Sequence, residues 1–553
     1  MKRSVVVLFV LLLAVGSIPI RAAAQYLVWH YDRLIENNTG MNGNAPDIAI
    51  SGLKAVAVWY QSAGYNRRLY ANYSIDGGKT WHADQIIEDV NSQAYSPHVV
   101  LSGNIAVVAW NQYYGGAYRI YTNYSADGGA TWHKAQIIED LSGGHALDDG
   151  PAIAISGSRV VVVWSQNDGT HYRVYVNYSS DGGRTWHSRQ ALDGVTAYDS
   201  GLPSVAVSGA NAVTVWARSD GTRQRLYSNS STDGGATWQG ERFAGFDANY
   251  WVSTSRVVLS GSNAVAVCFQ NTSLGATVYA NNSSNGGAAW GSPQILKNPV
   301  TSSAAYPDAA MSGTRVVAVW LQEEVSTTGR AIWSNYSTDG GATWHGAQSI
   351  MPVSTYAPGN PRIALSGLYA VAVWRQPDGV TQHIFTNYST DGGATWHVWH
   401  RIDGAVGVPS STGVPGIALS GMKAAAVWVE NNGVSDRIVS NYAGSSAAET
   451  TYLWPPKLSS PANGATNIPK TATLYWEDTN TEPQELKYQI RIKPAGGTYT
   501  IYSVTANSTA FIKSGLVRGQ TYYWNVRAIG NGKDLANSTW ANNGANWKFT
   551  VQR

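Results

Sequence analysis

The chain has 553 residues, of which 13% are charged, where an average soluble domain carries about 25%. Its formal net charge of +3 includes no run of like sign, which argues against nucleic acid or an anionic membrane as the main partner. A single cysteine, Cys268, excludes an internal disulfide framework and a cysteine-based metal site, while 57 Gly, 32 Tyr and 23 Trp beside 7 Phe point to short strands and tight turns.

The N-terminus reads Met1-Lys2-Arg3, then an apolar run from Val5 to about Val15, then Ala22-Ala23-Ala24 before Gln25. A basic start, a short apolar stretch and small residues make a secretory signal peptide over residues 1–24, so the mature protein is expected to be secreted or held at the cell surface. The alternative is an uncleaved anchor helix. No later apolar run is long enough to span a membrane, so no span is expected in the mature chain.

A box, Asn-Tyr-Ser-x-Asp-Gly-Gly-x-Thr-Trp, then recurs around Asp76, Asp127, Asp181, Asp233, Asp339 and Asp391, with a weakened copy at Asn285, in steps of 51, 54, 52, 52, 54 and 52 residues. Upstream of each lies Pro-x-h-x-h-Ser-Gly-x-x-Ala-Val-x-Val-Trp-x-Gln (h, apolar), whose serine falls at Ser51, Ser102, Ser156, Ser208, Ser260, Ser312, Ser366 and Ser420. Each of these eight copies holds four strand-like runs, A to D, and such a unit is the pattern of a propeller blade. The eighth copy reaches Asn441-Tyr442-Ala443 and then lacks box and strand D. Val28 to Glu36 reads like the post-box segment Thr131 to Glu139. The expected fold is therefore all-β: an eight-bladed β-propeller over residues 26–445, closed by its N-terminal strand, with no open edge.

Residues 446–458 form a polar, Pro-containing linker. Over 459–553 the pattern changes to Leu474-Tyr475-Trp476, Tyr488 to Ile492, and Leu516-x-x-Gly519-x-x-Tyr522-x-Trp524-x-Val526-x-Ala528. This alternation resembles a fibronectin type III β-sandwich, whose tyrosine corner would be Tyr522. In exported bacterial proteins such modules usually space or display.

Within the box, the Asp carboxylate can accept backbone N–H bonds of its own turn, the glycines supply unusual φ, and the Trp drops into the core. The pattern resembles the Asp-box, or bacterial neuraminidase repeat, along the whole ring. The resemblance implies the blade and leaves the reaction open, because Asp-boxes occur in sialidases, other glycosidases, sorting receptors and assembly factors. His30, His82, His133, His187, His345 and His397 directly follow the repeat Trp, and a ring of equivalent sites cannot converge on one metal. Neither metal nor cofactor is expected. Gln61, Gln112, Gln166, Gln270, Gln322 and Gln376 are scaffold by the same logic, with Arg218 and Glu430 as substitutes on opposite sides of the ring. Asn-x-Ser sites at Asn72, Asn123, Asn177, Asn229, Asn281, Asn335 and Asn387 are formal glycan acceptors that coincide with the repeat.

Function is expected where the repeat breaks. The A–B and C–D turns share one face and hardly vary, while the B–C and D–A loops share the other and vary freely. The D–A loops carry Tyr95, His145 with Asp148 and Asp149, Tyr198 with Asp199, Tyr250 with Trp251, Tyr306 and Tyr356; these aromatics suit sugar faces, or simply pack their loops. Four residues before each repeat Ser stand Asp47, His98, Ala152, Ser204, Arg256, Asp308, Arg362 and Gly416. Arg256, Asp308 and Arg362 thus fall side by side at the channel mouth, beside Glu323 and Glu324. Two guanidiniums can grip a carboxylate, and Asp308 or a Glu can serve as general acid.

Sialidases look similar in outline, with an arginine cluster, a Tyr activated by Glu, and an Asp acid, so the resemblance offers Tyr306 or Tyr356 with Glu323 for those roles. The chain departs from them by lacking a Phe/Tyr-Arg-Ile-Pro start, of which Asn360-Pro361-Arg362-Ile363 is a partial echo, and by having eight repeats where sialidases have six blades. Three readings follow in order: a propeller that recognises glycans or surface partners, a sialidase-like hydrolase of acidic sugars, and a structural surface protein.

Overall fold

The computed structural model describes residues 26–553 apart from 38–39, 64–65, 140–143, 147–149, 195–196, 247–251, 273–274, 298–302, 324–328, 380, 405–407, 410–412, 447–450, 453–455, 478–486, 506–507, 530–534, 537, 539–540 and 542–545. The expected signal peptide lies outside the described residues. Within them all regular structure is β-strand, and no helix is long and apolar enough to cross a membrane.

Seven four-stranded antiparallel blades follow the A-B-C-D order of the sequence repeats. In the first, A is Asn42–Ser51, B is Lys54–Ala63, C is Asn66–Ser74 and D is Gln85–Ile86. Strand B is apolar without alternation because blades cover it on both faces, and Ala55 to Trp59 are 0% exposed. The cores therefore lie in the seams: Val56, Val58 and Leu69 of repeat one pack with Val108, Trp110 and Tyr121 of repeat two. In repeat five the seam Trp is replaced by Cys268, a free, fully buried thiol that burial pushes far up from its ordinary pKa.

A further, six-stranded sheet combines strands from both ends of the repeat region. Gly416–Ser420, Lys423–Asn431 and Asp436–Ser446 supply A, B and C. Tyr26–Trp29 then pairs antiparallel with Ala443 to Ser446, and Arg33–Leu34 pairs with Ser440 and Val439. His30 stacks on Tyr442 at 4.2 Å, as His82 does on Tyr73 at 4.1 Å. Strand Gly416–Ser420 lies against Asn42–Ser51 of the first repeat, and Ile48, Ala57 and Trp59 share a cluster with Ala425, Val427 and Ile438.

Two further repeated contacts join the blades. The Ser hydroxyl of one Ser-Gly pair accepts the N–H of the next repeat's glycine: Gly103 to Ser51 at 3.0 Å, Gly261 to Ser208 at 2.9 Å, Gly421 to Ser366 at 2.9 Å. The box Asn reaches back, so that Asn123 Nδ2 donates to Ile87 O of the preceding repeat at 2.8 Å and to His133 O of its own at 2.7 Å. Asn72, Asn123, Asn177, Asn229, Asn281, Asn335 and Asn387 are all 3% exposed or less, which removes them as glycan acceptors in the folded chain.

Beyond the ring, a three-stranded sheet (Lys457–Ser460, Ala472–Glu477, Ala510–Lys513) faces a five-stranded one (Ala465–Ile468, Lys487–Pro494, Thr500–Thr505, Thr521–Ile529, Trp547–Val551) across a separate core that includes Trp476, Tyr488 and Trp524. The Tyr522 hydroxyl accepts the Val517 N–H at 3.1 Å.

Candidate functional site

The side chains that make the box tie down their own hairpins. Asp76 Oδ1 accepts the Ser74 hydroxyl and the Thr80 N–H, both at 2.8 Å, and Oδ2 accepts the Thr80 hydroxyl at 2.6 Å. Asp127, Asp181, Asp233, Asp339 and Asp391 repeat this geometry, and in each, although burial acts against it, hydrogen bonds hold the carboxyl below the usual range. Asn285 keeps the Ser283 and Ala289 bonds at 2.8 Å, but Ala289 has no hydroxyl to offer. None of these groups faces the axis-lining cavity.

That cavity, of about 730 Å³, is lined by the start of strand A from every repeat, including Asp47, His98, Ala152, Ser204, Arg256, Asp308, Arg362 and Gly416. A proline precedes seven of these eight positions, and before six of the prolines the backbone turns left-handed: φ is 47° at Ala45, 46° at Ser96, 81° at Gly150, 54° at Leu202, 53° at Tyr306 and 49° at Asn360. Ladder register slips at most of these points, as between Ala305 and Asp308. Proline cannot donate to the ladder, so the strand bulges and its tip is re-aimed. Five non-glycine residues in this region are strain concentrated on the face the loops share. The proline was legible in the sequence, whereas the bulge was not.

Around the funnel, Arg256 Nε donates to Asp308 Oδ1 at 2.9 Å, while Asp308 Oδ2 accepts the Ile363 N–H at 3.0 Å. The Arg256 side chain is 43% exposed and that of Asp308 7%. Asp308 raises the Arg256 guanidinium above its ordinary value against burial. Arg362 behaves differently: burial and the Arg256 charge push it down, and its guanidinium makes no hydrogen bond or ion pair among the described residues. Across the funnel His98 Nδ1 lies 3.3 Å from Asp47 Oδ2, which also takes the Val99 N–H at 3.0 Å. Burial acts to raise the Asp47 carboxyl, yet His98 and these N–H bonds leave it lowered. Ser204 likewise accepts the Val257 N–H, at 3.2 Å. An oxygen at this position thus joins repeats one, four and six each to the repeat that follows, a role that the residue types alone did not disclose.

The remaining candidates do not gather here. Glu323 is taken by Arg330, with Nη2 at 2.7 Å, and is not among the lining residues. Glu324, Asp148, Asp149, Tyr250 and Trp251 lie outside the described residues. Tyr306 occupies the left-handed bulge, 49% exposed, and no described tyrosine lines the funnel. Tyr356 and Tyr198 cover the B–C turns of their own repeats, so close that a Cβ on Gly379 would sit 2.4 Å from the Tyr356 hydroxyl and one on Gly221 would sit 2.5 Å from that of Tyr198. Tyr95 donates to Gln93 Oε1 at 2.8 Å under the Arg67 guanidinium, 4.1 Å from its ring centre. The expected sialidase-like set of Tyr, Glu and Asp around two arginines is therefore not assembled. Of the expected site, the funnel holds Arg256, Asp308 and Arg362.

A BNR repeat-like domain matches residues 116–319, and the BNR/Asp-box repeat matches 73–83 and 388–398. No curated protein matches the chain. Among solved structures, a polysaccharide lyase described as an ulvan lyase aligns with a TM-score of 0.41 at 10% identity, covering 66% of this chain and 94% of its own. Trypanosoma rangeli sialidase with a covalently bound 2,3-difluorosialic acid aligns at 0.35 and 11%, covering 81% and 83%. The catalytic domain of Coprinopsis cinerea GH62 α-L-arabinofuranosidase aligns at 0.26 and 10%, covering 44% and 90%. Asp-box repeats on four-stranded blades make the ring a BNR-type propeller fold.

Proposed function

We propose that this is a secreted or cell-surface carbohydrate-binding protein. Its body is an eight-bladed Asp-box propeller over 26–445, closed by the N-terminal strand, which holds an acidic sugar in the axial funnel. A linker, 446–458, leads to a fibronectin type III-like sandwich over 459–553. The count and closure are supported by the pairing of Tyr26–Trp29 with Ala443 to Ser446 and by Asn441, which donates to His30 O at 2.6 Å and Ile402 O at 2.9 Å as the box Asn does elsewhere. The sandwich is supported by its two sheets and by the Tyr522 hydroxyl bond to a backbone N–H five residues upstream.

One observation carries the ligand: Arg362, next to Arg256, faces a cavity sized for a small molecule and makes no hydrogen bond or ion pair among the described residues, the Asp308 and Asp47 charges only partly offsetting its burial and the Arg256 charge. A carboxylate entering there offsets the repulsion between the two cations and is recognised by a planar fork. Binding without turnover is favoured over hydrolysis, because Asp308 is engaged by Arg256 and Ile363 and Glu323 by Arg330.

Calorimetric titration of the intact protein with uronate- and sialate-bearing oligosaccharides and their neutral counterparts tests this, with a fluorogenic sialoside assay in parallel. Binding restricted to the acidic members and weakened about tenfold or more in Arg362→Ala supports it. Equal binding in that variant defeats it, and turnover lost in Asp308→Ala establishes the hydrolase instead.

A further inference from the structure

The hairpin between strands B and C of repeat two reads Tyr113-Tyr114-Gly115-Gly116-Ala117-Tyr118. Its strands, Ile105–Tyr114 and Ala117–Ser125, pair as far as Tyr114 opposite Ala117, so Gly115 and Gly116 alone make the turn, at φ of 61° and 86°. A two-residue turn with both φ positive favours glycine and matches the twist of the strands, which sets the flanking tyrosines on a stiff tip. Tyr113 and Tyr114 are 42% and 45% exposed, and a Cβ on either glycine would meet no described atom within 4 Å. No other repeat has an aromatic residue at either tyrosine's position; repeat one has Ser62 and Ala63 there, and repeat eight has Asn431 and Asn432. The blade therefore does not need these rings.

The tip begins a band of rings that runs inward. Tyr113 stands edge-on to Tyr118 at 5.4 Å, Tyr118 edge-on to Tyr95 at 5.5 Å, and Tyr95 lies tilted against Tyr60 at 5.8 Å. The Arg67 guanidinium is 5.4 Å from the centre of the Tyr60 ring and 4.1 Å from that of Tyr95. The Tyr95 and Tyr118 hydroxyls both donate to Gln93 Oε1, at 2.8 and 3.1 Å, which fixes the two rings relative to each other. At its inner end the band meets the funnel wall: Tyr95 directly precedes Ser96, Tyr60 stands opposite Asn44 in register, and both Ser96 and Asn44 line the cavity.

We propose that this band holds successive sugar rings of an unbranched acidic polysaccharide, as subsites that continue outward from the funnel. The inference rests on the funnel reading and extends it from one acidic sugar to a chain. Tyrosine rings cover the apolar faces of pyranoses, while their hydroxyls and the Arg67 guanidinium are polar partners for sugar oxygens. Rings already held by one another lose little freedom when a ligand arrives. A single file of partly exposed rings falls far short of the ~800 Å² that each partner of a stable protein complex contributes, which favours a glycan chain over a protein.

Calorimetric titration of the intact protein with galacturonate and sialate, each as monomer and unbranched hexamer, tests this, with cellohexaose as the neutral probe. An acidic hexamer is expected to bind about tenfold or more tighter than its monomer. Tyr113→Asn/Tyr114→Asn, which installs the pair that repeat eight carries, abolishes that gain and leaves monomer binding unchanged, whereas Tyr113→Phe/Tyr114→Phe keeps the gain. Arg362→Ala weakens monomer and hexamer alike. Equal affinity for monomer and hexamer, or a gain that survives in the asparagine variant, overturns the band and leaves the funnel standing. A gain lost in the asparagine variant beside binding untouched by Arg362→Ala upholds the band and defeats the funnel. Failure of both acidic hexamers to bind, or cellohexaose bound as tightly as they are, overturns the proposal. So does sedimentation showing a wild-type dimer that the asparagine variant converts to monomer, which would make the band a contact between copies.

Discussion

Ser420 in the last repeat accepts the backbone N–H of Gly52 in the first, at 2.9 Å and 368 residues away in sequence. The same bond joins consecutive repeats, as from Gly367 to Ser312 at 3.0 Å. Ser420→Ala and Ser312→Ala are therefore expected to cost similar stability, about 0.5–1.5 kcal/mol each, in denaturant melts. A Ser420 variant indistinguishable from wild type beside a destabilised Ser312 variant would mean that the first and last repeats are not joined.

Asp308 serves two partners, so removing it orphans both. Asp308→Ala leaves Arg256 and the Ile363 N–H without their acceptor and is expected to lose about 1–3 kcal/mol, the exposure of Arg256 keeping the figure low. Asp308→Asn, which retains an acceptor for Ile363, should lose less. Equal losses in the two variants would contradict the division of labour between its oxygens.

Gly379 has φ of 101° and no room for a Cβ beneath Tyr356. Gly379→Ala is expected to destabilise by more than about 1 kcal/mol, since both backbone strain and steric contact oppose it. Adding Tyr356→Ala should recover only the contact portion. A neutral Gly379→Ala variant would show that the ring does not sit on this turn.

Glu430 replaces the glutamine of the repeat at a position that is 0% exposed, and accepts the Trp428 indole N–H at 2.7 Å. Burial first, then the Asp32 and Asp403 charges, raise it well above the carboxylate range. Asp403 itself is held by His383 at 3.0 Å and Arg401 at 3.1 Å. The folded state thus keeps a proton on Glu430 that the unfolded chain releases more readily, so its stabilising contribution is complete in acid and is lost as pH rises through the raised value. Glu430→Gln, which restores the repeat residue, should gain on wild type as pH rises in urea titrations; a gain that grows toward acid would reverse the sign and refute the assignment.

Self-similarity made much of the fold legible, because a blade is specified by local chemistry: Val-x-Val-Trp fills a seam and Ser-x-Asp-Gly-Gly fixes a hairpin. The shared position of Arg256, Asp308 and Arg362 followed from counting back from the repeat Ser, since equivalent offsets in equivalent strands arrive at the same height around the funnel. What each side chain does there was not legible. That Asp308 bonds the next strand's Ile363 N–H depends on a contact 55 residues away, and Glu323 is diverted by Arg330 on its own hairpin. Tyr198 and Tyr356 carry aromatic chemistry that suits a sugar face, yet their placement over Gly221 and Gly379 depends on where a loop folds back.

The pairing of Tyr26–Trp29 with Ala443 to Ser446 also sets an order of events in biosynthesis. Tyr26–Trp29 is synthesised long before its hydrogen-bonding neighbour and finds it only after the repeats between them have been made. Until then two apolar rims, Leu27 and Trp29 at one end and Ala424, Ala426 and Val439 at the other, remain open to other molecules. A chain that stops before the final repeat keeps these apolar groups without the neighbours that cover them in the folded ring.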